Sequence, residues 1–159
     1  MLEPAVLERI RELLNQHDAP FREVQHEPTY TSEESARARG EDLRVGGKAL
    51  LIKAEEEFRL FVLPADRKVD SAAIRKELGL RKLRFASRAE LQELTGLVPG
   101  CVPPLGRPVL PFDLFVDAAI CDNERIAFNA GSLTNSIIMP VDDYLRVAEP
   151  CKVFSFSKC

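Results

Sequence analysis

Lys48-Ala-Leu-Leu-Ile-Lys53 and Phe58-Arg-Leu-Phe-Val-Leu63, joined by Ala54-Glu55-Glu56-Glu57, form the stretch that decides the fold. Leu, Ile, Val and Phe fill both runs, and three glutamates in the connection cannot be buried together. The pattern predicts two strands joined by a hairpin loop. On the amino-terminal side, Val6, Leu7, Ile10, Leu13 and Leu14 make one apolar stripe, which predicts a helix over Leu2–Asn15 with Pro4 in its first turn. Asp18-Ala19-Pro20 ends it, and Phe21–His26 reads as a short strand. Thr31 and Glu34 have capping-box spacing, so a short helix should run from there to a stop at Gly40.

Beyond the hairpin, Asp70 caps a predicted helix through Leu78, closed by Gly79. A short strand over Leu83–Ala86 follows. Ser87 and Glu90 form a second capping box, for a helix through Thr95 that stops at Gly96. Strands are expected over Phe112–Val116, Arg125–Asn129 and Ser136–Met139, a helix over Val141–Ala148 and a last strand over Lys152–Phe156. No linker or repeat divides the chain. The expectation is one compact α/β domain over residues 1–159, with a mixed, mostly antiparallel sheet flanked by helices.

The chain has 159 residues, enough for one domain with a real core. Its apolar runs are too short to span a membrane, and its start does not resemble a signal peptide, so the expected location is the cytoplasm. The net charge of −3 hides an asymmetry: residues 67–88 alone carry +6. A basic segment on an acidic protein suits a limited contact with a polyanion, or is simply a solvated helix face. The cysteines are Cys101, Cys121, Cys151 and Cys159, with no C-x-x-C pair, and the histidines are His17 and His26. This spacing favours free thiols over a disulfide framework and gives no zinc-ligand cluster, so neither metal nor cofactor is expected.

Leu97-Val98-Pro99-Gly100-Cys101-Val102-Pro103-Pro104-Leu105-Gly106 holds three prolines, two glycines and no charge. It can be neither helix nor central strand. It reads as a rigid apolar loop, either the wall of a small pocket or a segment packed under its own prolines. Cys101 is the best thiol candidate in the chain, or a small apolar side chain in that loop. Lys48 follows Gly46-Gly47 at the mouth of an apolar strand, where an ammonium could hold a phosphate or a carbonyl oxygen gaining charge, or face water. Gly46-Gly47-Lys48 lacks the spacing of a phosphate-binding P-loop. Thr29, Tyr30 and Thr31 could line a pocket or cap a helix. Asn129-Ala130-Gly131-Ser132-Leu133-Thr134-Asn135-Ser136 could offer hydrogen bonds to a ligand or form a turn.

Several of these pieces occur together in a recognisable order. They are His26-Glu27-Pro28-Thr29-Tyr30-Thr31 with Glu33-Glu34, Gly47-Lys48-Ala49-Leu50, and Val62-Leu63-Pro64-Ala65-Asp66. Leu94-Thr95-Gly96, Gly100 to Pro104 with Gly-x-x-x-Pro spacing, and Phe128-Asn129-Ala130-Gly131-Ser132 follow. From about residue 21 to residue 148 the chain resembles the YbaK/EbsC family, whose fold also forms the editing insertion of bacterial prolyl-tRNA synthetases. The resemblance implies a free-standing, trans-acting deacylase that hydrolyses the ester of mischarged tRNA, often tRNA for proline. It implies that Lys48 is the functional lysine fixing the 3′ end. The Gly100–Pro104 loop would hold the aminoacyl ester by its backbone, and the 2′-hydroxyl of the terminal adenosine would assist the attacking water. Substrate contacts are then expected from Thr29, Tyr30, Thr31, Cys101, Val102, Pro103, Pro104, Gly131, Ser132 and Asn135. Arg75, Lys76, Arg81, Lys82 and Arg84 would meet the acceptor stem. Some relatives have a histidine after the Gly-Ser pair; Asn135 stands in that region and cannot titrate.

Such a mechanism needs no protein nucleophile, histidine base or metal, which matches the residue inventory. A wall of Val102, Pro103, Pro104 and Leu105 suits a small amino acid: alanine, serine, threonine or cysteine. The partner is the aminoacylated tRNA end, with prolyl-tRNA synthetase a further possible partner. The alternatives are a non-catalytic module of the same fold that binds tRNA ends, nucleotides or a synthetase, and a thiol hydrolase using Cys101.

Overall fold

A computed structural model describes residues 5–159; the predicted helix start at Leu2 and Pro4 lies outside the described residues. The apolar stripe makes α1 (Val6–Gln16), which buries Val6, Ile10, Leu13 and Leu14. β1 (Arg22–Gln25) follows, then α2 (Ser32–Arg39). Both predicted capping boxes are formed, and Gly40 closes α2 in the left-handed region that glycine tolerates.

The hairpin occupies the centre of the larger sheet. β2 (Gly47–Ala54) and β3 (Glu57–Pro64) pair antiparallel along their whole length, Lys48 opposite Leu63 and Ala54 opposite Glu57. Successive residues face opposite sides. Leu51, Leu60 and Val62 enter the main core with α1; Ile52, Phe61 and Leu63 enter a second core on the other face. The strands are therefore buried on both sides, which is why they read as continuous apolar runs.

Beyond β3 come β4 (Lys68–Val69), α3 (Ser71–Leu78), β5 (Leu83–Phe85), α4 (Arg88–Thr95) and β6 (Leu114–Asp117). The chain closes with β7 (Arg125–Asn129), β8 (Asn135–Pro140), α5 (Val141–Ala148), β9 (Lys152–Phe154) and β10 (Ser157–Lys158). Ile74 of α3 seals the second core, where Phe61 stacks on Phe115 at 5.2 Å and meets Phe156 edge-on at 5.5 Å. Such pairs are worth about 0.5–1.5 kcal/mol beyond their buried area.

The strands form more than the single sheet expected. A five-stranded sheet has the order β5-β2-β3-β6-β9, with β3–β6 and β6–β9 parallel; a three-stranded antiparallel sheet has the order β1-β8-β7; β10 and β4 make a small pair. A parallel bridge from Gly46 to Ala127 joins the two larger sheets. The approach is close: a Cβ on Gly47 would lie 2.6 Å from Cδ1 of Ile126. The expected last strand over Lys152–Phe156 splits in two. Phe156 is fully buried, its N–H donates to Oδ1 of buried Asp117 at 2.7 Å, and the chain bends there to place Ser157 beside β4.

Candidate functional site: a cationic cleft at the edge of β2

β5 pairs only with Ile52–Ala54, so the first half of β2 is left as an open edge on that side. A cleft of about 390 Å³ lies along that edge, between the entry to α2, Ala65, Arg88 at the start of α4, and the loop through Pro99, Gly100 and Val102. The capping box shapes the α2 side. Glu34 accepts hydrogen bonds from the Tyr30 and Thr31 N–H groups at 2.9 and 3.1 Å, and Thr31 accepts from the Glu34 N–H. Those bonds, led by the Tyr30 N–H, hold the Glu34 carboxyl below the usual carboxylate range. Thr29 is buried and shares a 2.8 Å hydrogen bond with Ser35. Tyr30 stands 72% exposed at the cleft mouth.

Lys48 enters from β2. It is half-buried, and its ammonium donates to the Arg67 carbonyl at 2.8 Å. Burial pushes its pKa down, against the opposing pull of Asp66 and Glu33. The Arg67 segment is itself held: its guanidinium donates to the Ser157 hydroxyl at 2.6 Å and to the Ser157 carbonyl at 3.1 Å, and Ser157 donates to Asp117 at 2.5 Å. The bend at Phe156 thus fixes the backbone atom to which Lys48 is tied.

Across the cleft lies a buried polar network. The Arg39 Nε donates to the Ser136 hydroxyl at 2.9 Å and Nη2 to Oδ1 of Asn129 at 3.0 Å. Asn129 in turn donates from Nδ2 to the Gly100 carbonyl at 2.7 Å. His26 joins from the surface through Nε2, 2.8 Å from the Ser136 hydroxyl. Gly100 sits at φ +92°, closed to ordinary side chains. The next two anchors hold the same loop. The Cys101 carbonyl accepts from the Gly131 N–H at 3.0 Å, and the Pro104 carbonyl accepts from the buried Tyr144 hydroxyl at 2.6 Å.

The lining carries three cations, Lys48, Arg39 and Arg88, and no aspartate or glutamate. Arg39 is 9% exposed, has no carboxylate within ion-pair distance among the described residues, and is driven by burial to a pKa of about 10. Arg88 makes no ion pair among the described residues. On a chain of net charge −3 this is a strongly local positive field.

Of the predicted site residues, Thr29, Tyr30, Thr31, Lys48, Gly100 and Val102 line the cleft. Cys101, Pro103, Pro104, Gly131, Ser132 and Asn135 do not. Val102 is the half-buried member of this run, while Cys101 before it and Pro103, Pro104 and Leu105 after it are buried. Cys101 packs in the main core, where burial pushes its thiol up. Ser132 and Asn135 hydrogen-bond to one another, and Asn135 also donates to Glu23. Arg75 and Lys76 lie on α3, over the second core, and Arg81 and Lys82 in the turn after it. Arg84 is held bidentate by Glu90 at 2.7 and 2.9 Å. From the basic segment, Arg88 is the residue that reaches the cleft.

Arg39 escapes a sequence reading. Arg39 sits in the last turn of a short polar helix, where a cation is ordinarily explained by the helix dipole. The signal that is present lies in its partners Asn129 and Ser136, the first and last residues of the uncharged polar stretch.

An aminoacyl-tRNA editing domain model matches residues 26–147, a span that contains the whole cleft. The chain belongs to the aminoacyl-tRNA editing domain family. Within that family it is 38% identical over 149 residues to the multifunctional Ser/Thr-tRNA deacylase ProXp-y of Escherichia coli (strain K12), covering 90% of this chain and 88% of that protein. It is 32% identical over 131 residues to the prolyl-tRNA editing protein ProX of Acetoanaerobium sticklandii, covering 79% and 80%. The editing-domain fold is matched by a solved structure described as a candidate trans-editing enzyme for prolyl tRNA synthetase. That match has a TM-score of 0.83 at 22% identity and covers all of both chains.

Proposed function

We propose that this chain is a trans-editing aminoacyl-tRNA deacylase that hydrolyses the ester of mischarged tRNA. The observation that carries the reading is the lining of the cleft: three cations, several hydroxyls, backbone and small apolar groups, with no carboxylate, imidazole or thiol among the described lining residues. A serine or threonine nucleophile needs a base beside it. Here the buried hydroxyls of Thr29 and Ser35 are bonded to each other. A site of this kind binds and polarises its substrate and leaves the base to the substrate itself. The terminal adenosine brings one, its 2′-hydroxyl, which assists the attacking water.

In this reading Lys48 fixes the 3′-terminal nucleotide, and Arg88 at the mouth meets a backbone phosphate. Pro99, Gly100 and Val102 face the aminoacyl group. Positioning of this sort lowers a barrier by several kcal/mol without any covalent intermediate. The bore next to Val102 suits a small side chain. The name of the Escherichia coli relative supports serine or threonine as the amino acid removed, and the name of the Acetoanaerobium protein supports tRNA for proline.

The test is hydrolysis of tRNA for proline charged with Ser, Thr, Ala or Cys, with wild type and Lys48→Ala side by side. Release by wild type and its loss in the variant support the reading. Tight binding of the charged tRNA with no release from any member overturns it in favour of a binding module.

A further inference from the structure

The Arg39 guanidinium is a buried charge with no ion-pair partner among the described residues, attracted by Glu41 only from beyond ion-pair distance. Among the described residues no carboxylate oxygen lies within ion-pair distance of it, and Glu41, two residues on, is engaged by Arg125 and Arg22. Its Nε and Nη2 are spent on Ser136 and Asn129, which are neutral. Nη1 has no such bond and lies toward Gly46, 3.6 Å from where a Cβ on that glycine would be. Gly46 and Arg39 both line the cleft. Burying an unpaired cation is costly, and a fold keeps one where a partner arrives with the ligand.

We infer that Arg39 is a catalytic residue of this cleft, its Nη1 donating to the carbonyl oxygen of the aminoacyl ester as that oxygen becomes an oxyanion. The inference rests on the deacylase reading above. The network carries the assignment. Through Asn129 the same guanidinium is tied to the Gly100 carbonyl, so the cation and the loop that faces the aminoacyl group keep a constant separation. In the ground state the ester is neutral and Arg39 stays without a direct ion pair. When water attacks, its oxygen bonds to the ester carbon and the π pair moves onto the carbonyl oxygen. The proton of the water passes by way of the 2′-hydroxyl to the 3′ ribose oxygen as the ester C–O bond breaks. The oxyanion's pair re-forms the carbonyl, the new carboxyl gives its remaining proton to solvent, and amino acid carboxylate and free tRNA result. The charge on the oxyanion is matched only while it exists, which is the condition for raising the rate rather than the affinity. A phosphate would be met at the exposed mouth, where Arg88 stands; Arg39 is too deep for the polynucleotide backbone and in a place where low polarity strengthens the interaction.

The test is single-turnover deacylation with excess enzyme, on whichever charged tRNA the wild type cleaves, for Arg39→Ala and Arg39→Lys. The rate at saturation should fall about 10²–10³-fold in Arg39→Ala, with half-saturation nearly unchanged, as for loss of one oxyanion donor. Millimolar guanidinium should restore much of that loss, and Arg39→Lys should lie between Arg39→Ala and wild type. A scaffold role would not give rescue by a small cation. A rate near that of wild type in Arg39→Ala overturns the inference and leaves the deacylase reading intact. Weaker half-saturation with a shallower salt dependence makes Arg39 a phosphate contact and also overturns it. A loss that neither guanidinium nor lysine restores makes Arg39 structural, with the same consequence. A wild type inactive on every charged tRNA overturns both readings together.

Discussion

The ammonium of Lys48 lies 2.8 Å from the carbonyl oxygen of Arg67, nineteen residues along the chain. One of its three donors is thereby spent on the protein, which sets the direction of the other two. Lys48→Ala removes the proposed anchor of the 3′ end, a charged donor worth about 1.5–3 kcal/mol, so deacylation at subsaturating tRNA should fall about 10–150-fold with little change in melting temperature. Ser157→Ala, which touches no substrate, loosens the Arg67 segment and should give a smaller loss of the same kind. Rates for both variants on one charged tRNA check this.

Burial lowers the pKa of Lys48 below its ordinary 10.5. In the proposed role the working form is the cation, so enzyme-dependent hydrolysis should decline as pH rises through that lowered value. Stability runs the other way. In the window between the folded pKa and 10.5 the unfolded chain holds the proton that the folded chain has released, so unfolding free energy rises with pH there. Lys48→Met should flatten both alkaline limbs, in a pH–rate profile and in a melting series.

Gly47→Ala should destabilise the fold by about 1–3 kcal/mol, the usual cost of overpacking. The added methyl would meet Cδ1 of Ile126 at 2.6 Å. Urea unfolding reads the change. Trimming the obstacle, in Gly47→Ala with Ile126→Val, should recover part of it.

Asn129→Ala removes the partner of Arg39 Nη2, of the Ser136 hydroxyl and of the Gly100 carbonyl at once. Leaving buried polar groups unmet costs about 1–3 kcal/mol each. Both the melting temperature and the turnover of Asn129→Ala should fall, whereas Asn129→Asp, which keeps the acceptor for Arg39 and loses the donor to Gly100, should retain more stability than activity.

Glu90 carries the acid sensitivity of α4. The bidentate hydrogen bonds from Arg84, and then the Ser87 N–H, lower its pKa to about 2. Its contribution to stability is complete above the unfolded value of 4.5 and is lost as pH falls toward about 2, where the folded state is protonated too. Glu90→Gln should show a shallower loss of stability across that interval in acid titration followed by circular dichroism.

Much of this architecture is legible locally. The capping boxes at Thr31 and Ser87, the glycine stops at Gly40, Gly79 and Gly96, and the hairpin at 48–63 all form where the residues ask for them, because each is decided within a few positions of chain. What is not legible depends on pairing at a distance. Nothing in residues 114–117 says that they lie parallel to β3, and the two-residue β4 becomes a strand only when Ser157 arrives beside it. The same holds for the site. Lys48 is marked by its position after two glycines, but those glycines serve close packing against Ile126 and Ala65 rather than mobility. Val102 reaches the cleft while its neighbours Cys101 and Pro103 turn away, because anchors from Asn129, Gly131 and Tyr144 rotate the loop. Arg39 is hidden for the same reason: its placement at the cleft depends on Ser136 and Asn129, 97 and 90 residues away.

Those three anchors turn the loop into a gauge. Carbonyls of Gly100, Cys101 and Pro104 are each tied to a different neighbour, and prolines at 99, 103 and 104 remove most of the remaining freedom. A template of this stiffness cannot close around a smaller guest or stretch for a larger one. Its bore is fixed in advance, and from the loop Val102 lines it together with Pro99 and Gly100. Changing which amino acids pass should therefore be a matter of re-boring at Val102, with alanine admitting bulkier side chains and isoleucine rejecting all but the smallest, while the frame around it stays as it is.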